Sequence, residues 1–135
     1  MKKFLILFFT TIFLFSCGNI SESEKNLISL FENHLNHLKD YNTAYTGLIK
    51  SGKLDDTAKQ RISSAHKKYT ITGLELDKIF KKKIKVSDET NIRIEKIKQE
   101  TREALKIHLA YSAQAFKIFG VSDFFEKLVL DTHER

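Results

Sequence analysis

His34 and His37 stand three residues apart, and His34 shares an apolar seam with Tyr41 and Tyr45. Imidazole and phenol groups at such spacing suit a metal ion or small ligand held inside a helical core. They suit equally well a core in which the rings are buried and their polar tips satisfy one another. Folding the chain about turns near residues 52 and 85 sets His34 beside Tyr69, with Thr101 completing the layer. The same folding sets Tyr41 beside Ser63 and His108. His34 and His108 then lie about 10 Å apart along the axis, too far to share one ion. His34 and His37 give two ligands, and no carboxylate in the predicted stripes supplies a third. No metal site and no cofactor are expected, and a carrier whose pocket is lined by His34, Tyr69 and His108 stands as the alternative function.

Catalytic chemistry has less support. Carboxylates are numerous but fall mostly on solvated faces, and no serine or cysteine nucleophile stands in a recognisable motif with a base and its orienter. No glycine-rich phosphate loop occurs. The expectation is a protein that is not an enzyme. The chain carries 23 basic and 17 acidic residues; without Lys2 and Lys3 the balance is 21 to 17. So mild an excess does not call for a nucleic-acid partner.

The elements that hold these residues are long helices. The chain has no proline, so no helix is interrupted by a residue lacking its amide hydrogen. From Leu27 to Leu48 apolar and aromatic residues alternate at spacings of four and three, which predicts a helix from about residue 22 to 50. Ser21 and Glu24 suit a capping box at its start, and Gly52 a left-handed stop at its end. A second run from Ala58 to Ile79 opens on Asp55 and Asp56. Its "YTITG" stretch, Tyr69 to Gly73, is β-branched and helix-weak, but a lone strand there has nothing to pair with, so it is read as helix. Ser87 caps a third run that Gly120 ends, and Ser122 begins a short fourth. The fold expected is all-α: an antiparallel up-down-up three-helix bundle with a short C-terminal helix.

Before the bundle, the chain reads "MKKFLILFFTTIFLFSC": two lysines, then an apolar stretch from Phe4 to Phe15 broken only by Thr10 and Thr11. This is a signal-peptide pattern, shorter than the roughly 20 apolar residues of a membrane span. It ends in Leu14, Phe15, Ser16 and Cys17, which resembles the lipobox of bacterial lipoprotein precursors. The bulky Phe15 departs from that pattern and looks like the looser signals of spirochaetes. The resemblance implies diacylglyceryl transfer to the Cys17 thiol, cleavage before Cys17 and acylation of the new amino terminus. Residues 1–16 are then the signal peptide, 17–21 a lipidated tether and 22–135 the bundle domain. Cys17 is the only cysteine, so once it is acylated no disulfide is available and packing alone must stabilise the domain.

Charge is densest in "DKIFKKKIKVSD", which carries Lys78, Lys81, Lys82, Lys83 and Lys85. In an up-down-up bundle this turn lies at the end where the first helix begins, and a tether from Gly18 to Ser21 spans at most about 14 Å. The five lysines are therefore candidate membrane contacts. At the far end Phe124 and Phe125 are adjacent and cannot face the same way; they are candidate partner contacts, with capping of the core as their other use. The function expected is a lipid-anchored protein-binding module in a bacterial cell envelope, at the outer membrane or cell surface.

Overall fold

The computed structural model describes residues 20–120 and 122–133; the leader and Cys17 lie outside the described residues. Four helices follow one another: α1 (Glu22–Ser51), α2 (Asp56–Lys81), α3 (Asp88–Phe119) and α4 (Asp123–His133). Among the described residues no helix is long and apolar enough to cross a membrane.

Each long helix starts on a side chain that replaces a missing carbonyl. Ser21 Oγ accepts from Glu24 N at 3.3 Å while Glu24 Oε2 accepts from Ser21 N at 3.1 Å, a complete capping box. Asp55 Oδ1 accepts from Ala58 N at 2.8 Å, and Ser87 Oγ accepts from Thr90 N at 3.3 Å. Gly52, at φ 63°, takes the left-handed conformation that ends α1. The "YTITG" stretch continues α2 without a break, because Tyr69 and Thr72 face α1 and its packing outweighs their low propensity.

The order of cross-helix contacts defines the topology. Phe31 meets Phe80, His34 meets Tyr69 and Tyr41 meets His66, so α2 runs against α1. Glu24 bonds Ser87, Lys39 pairs with Glu100 and Asn42 bonds Ala104, so α3 runs along it. The bundle is thus up-down-up. Helix α1 is its centre: it packs on both partners, while no Cα atoms of α2 and α3 come within 8 Å of each other. Side chains fill the space between those two helices.

Two apolar clusters make the core. The lower holds Phe31, Leu35, Leu38, Leu76, Ile94 and Ile97. The upper holds Tyr45, Leu48, Ile62, Ala115, Phe125 and Leu128, with α4 folded over the end of the bundle against α2. Leu38 and Ile62 are wholly buried, and truncating either to alanine would cost about 2 to 5 kcal/mol. Together the two clusters draw on all four helices.

Candidate functional site

Between the two apolar clusters lies a band of histidine, tyrosine, threonine and asparagine. Asn42 is buried on α1 and faces α3. Its Nδ2 donates to the Ala104 carbonyl at 2.9 Å, which fixes the amide so that Oδ1 points at His108 Nδ1, also at 2.9 Å. A carbonyl oxygen only accepts, so His108 carries its proton on Nδ1. Burial, with help from nearby His66, pulls the His108 pKa down from its ordinary 6.5 to about 4. Its ring lies 4.3 Å from Tyr41 and meets Tyr45 edge-on at 5.3 Å.

His34 is arranged in the same way on the other interface. Thr72 Oγ1 lies 2.9 Å from His34 Nδ1 and within reach of the backbone carbonyls of Lys68 and Tyr69, either of which can take its single proton. The His34 ring stacks on Tyr69 with centroids 4.5 Å apart. Gly73 lets it lie close to α2: a β-carbon there would meet His34 Cε1 at 3.3 Å. Burial, and then the neighbouring His37, lower the His34 pKa. Burial likewise raises the phenol pKa values of Tyr41, Tyr45 and Tyr69. The Tyr41 hydroxyl bonds His66 Nδ1 at 3.1 Å.

The expected neighbours His34 with Tyr69, and Tyr41 with His108, are therefore together. Two other expected neighbours are not. Ser63 is exposed, and His66 takes its place beside Tyr41, because a residue one position past buried Ile62 is turned off the inner face while one four positions past it is not. Thr101 returns its hydroxyl to the Ile97 carbonyl at 2.8 Å, and Thr72 supplies the hydroxyl at His34 instead. Of the rings expected to line a pocket, His34 packs on Tyr69 with its Nδ1 bonded to Thr72, while His108 packs on Tyr41 and Tyr45 with its Nδ1 bonded to Asn42. Among the described residues no group of three or more His, Cys, Asp or Glu side chains could hold a metal ion.

The lysine-bearing turn forms the lower tip. Glu24 Oε1 accepts from Ser87 N at 2.6 Å, so one carboxylate holds the first turns of both α1 and α3. Those backbone amides, with Ser87 foremost, lower the Glu24 pKa to about 2. The bond fixes the α2–α3 turn beside the start of α1. Lys78, Lys81, Lys82, Lys83 and Lys85 are all exposed there. Lys81 pairs with Asp77 at 2.6 Å; the other four have no carboxylate within 4 Å among the described residues. At the upper end Phe125 is 1 % exposed, edge-on to Phe116 at 5.0 Å and stacked over Tyr45 at 6.3 Å. It caps the core and is not available to a partner. Phe124 is half-buried beside it.

Shallow grooves flank α1. One of about 650 Å³ runs between α1 and α3, lined by Asn42, Thr46, Ala104, Ile107 and Tyr111 among others. Along α3, Ile107 and Leu109 are 48 % and 62 % exposed. Comparison with protein-family models, with curated proteins and with solved structures finds no match for this chain.

Proposed function

We propose that the protein is a bacterial lipoprotein of the cell envelope, moored by an acylated Cys17, that stands on its lysine-bearing tip and binds a protein partner with its flank. The supporting observation is the bond from Ser87 N to Glu24 Oε1, which keeps the α2–α3 turn at the root of α1. Ser21, at that root, follows Cys17 by four residues. A bilayer that holds the Cys17 lipid therefore lies within about 14 Å of Ser21, at the end of the bundle that carries the lysine-bearing turn. The exposed Ile107 on α3, which lines the groove between α1 and α3, is then held away from the membrane and is open to a partner. Neither catalysis nor a cofactor enters this reading, in which His34 and His108 serve the packing of the bundle through Thr72 and Asn42.

Mass analysis of the native product tests it. A leaderless chain beginning at a diacylglyceryl-modified Cys17 is expected, and Cys17→Ser is expected to move the protein from the membrane to the soluble fraction. A retained leader or an unmodified thiol at position 17 overturns the mooring. Photo-crosslinking from position 107 on intact cells tests the flank: adducts there, and none from position 71 on the outer face of α2, are expected.

A further inference from the structure

We propose that the tip is itself a membrane-interface anchor, in which Phe80 and Ile84 enter an anionic lipid surface while Lys78, Lys82, Lys83 and Lys85 engage the headgroup phosphates. The inference rests on the reading that this end faces a bilayer, and adds that the contact holds without an acyl chain.

Composition and exposure support it together. Phe80 and Ile84 are 54 % and 53 % exposed, four residues apart, where α2 gives way to its turn. Phe80 lies in the last turn of α2, its ring against Phe31 and 5.5 Å from Lys98 Nζ, Ile84 lies in the turn that follows, and both are interleaved with lysines. A compact segment of bulky apolar groups among cations is the composition of an interfacial anchor. The acids near the tip are occupied: Asp77 by Lys81, Glu22 by Lys25, Glu89 by Arg93, and Glu24 by the backbone of Ser21 and Ser87. Asp88 lies in the first turn of α3, where the helix dipole favours its ionised form. Lys78, Lys82, Lys83 and Lys85 thus have no carboxylate within 4 Å among the described residues. Close to an anionic leaflet each strengthens binding on the order of fivefold, an effect confined to about a Debye length. Lys83 also sits at φ 46°, in the left-handed region that favours glycine. Leu109 provides the contrast, being more exposed than either tip residue but standing far up α3 without such a cluster.

The chain contains no tryptophan, so a single introduced indole reports insertion. Residues 20–135, which hold all four helices without leader or cysteine and are first shown to be helical by circular dichroism, are mixed with phosphatidylglycerol/phosphatidylcholine vesicles or with phosphatidylcholine alone. Phe80→Trp is expected to shift to the blue and be quenched by doxyl-labelled lipid in the anionic vesicles only, with Leu109→Trp unchanged. Ile84→Ser, which leaves the Phe80 contact with Phe31 intact, is expected to lower partitioning about tenfold. Lys83→Gly is expected to lower it about fivefold with no loss of thermal stability. Unchanged Phe80→Trp emission with anionic vesicles overturns the proposal, as does undiminished binding by Ile84→Ser or equal binding to phosphatidylcholine alone. Because the protein used has no Cys17, these outcomes are independent of whether the native chain is lipidated.

Discussion

The midsection and the lower tip both concentrate titratable side chains, and they treat them in opposite ways. In the midsection burial favours the neutral forms of His34 and His108, each with its Nδ1 bonded to a neighbouring side chain. At the tip the lysines are charged and exposed, and one buttressing carboxylate is held ionised by backbone amides. The difference follows from the architecture. With α2 and α3 apart, the centre of the bundle must be filled by large flat side chains reaching from α1, and their polar atoms are tolerated only when paired. The tip has no such constraint, because water solvates its charges. Polar groups in the interior fix how the helices register; those at the tip remain in water.

Substitution at Asn42 should give the largest effect. Asn42→Ala removes the acceptor for His108 and the donor for the Ala104 carbonyl, and leaves a buried polar ring unpaired. A loss of about 2 to 4 kcal/mol is expected in urea denaturation. Neutralising Lys82 and Lys83 to glutamine should change stability by less than about 0.5 kcal/mol. Comparable losses at the two places would break the contrast.

Acid should separate the same two regions by pH. His108 is depressed in the folded state, so the unfolded chain binds its proton more readily; the stability it contributes is present above 6.5 and is lost as pH falls toward 4. His34 acts in the same direction. Glu24 adds a lower window, its contribution present above 4.5 and lost as pH falls toward 2. The His108 slope is at most about 1 kcal/mol per pH unit once solvent screening of a half-buried ring is allowed for. Urea midpoints at pH 7, 5.5 and 4 should fall in order, and His108→Gln should flatten the decline. A flat parent profile between pH 7 and 4 would show that these imidazoles are not held neutral.

What the sequence disclosed, and what it did not, divides along the range of the interactions involved. Helix starts at Ser21, Asp55 and Ser87 were legible because a cap is a contact over three residues. The stop at Gly52 was legible for the same reason. Pairing His34 with Tyr69 needed only the turn positions and the helical rise. Choosing His66 over Ser63, or Thr72 over Thr101, needs the rotation of each helix about its axis, which packing decides. The Glu24 to Ser87 bond spans 63 residues and uses an oxygen left over from a local cap, so no local pattern marks it. Phe125 lost its place as a partner contact because α4 folds inward over Tyr45, an angle that the sequence of the connecting loop does not encode in any simple way. His66 was within reach, since it follows Ile62 by four residues on the same stripe.

The smallest expected effect is also the finest probe of how rigid the midsection is. Gly47 and Gly73 both lie inside helices, where replacing glycine by alanine gains about 0.5 to 1 kcal/mol if space allows. Around Gly47 nothing lies within 4 Å of where an alanine methyl group would sit, so Gly47→Ala should gain that amount. At Gly73 the methyl would meet His34 Cε1 at 3.3 Å, and the neighbour must yield by a few tenths of an ångström. A loosely held side chain would do so, and the propensity gain would survive. His34 is held on two sides, by the Tyr69 ring across its face and by Thr72 at Nδ1, so moving it lengthens a buried hydrogen bond or opens the stack. The gain should therefore be cancelled, leaving Gly73→Ala between neutral and about 0.5 kcal/mol destabilised. If thermal denaturation instead finds the two glycines equally improved by alanine, His34 is free to shift and the midsection is softer than its bonding pattern implies.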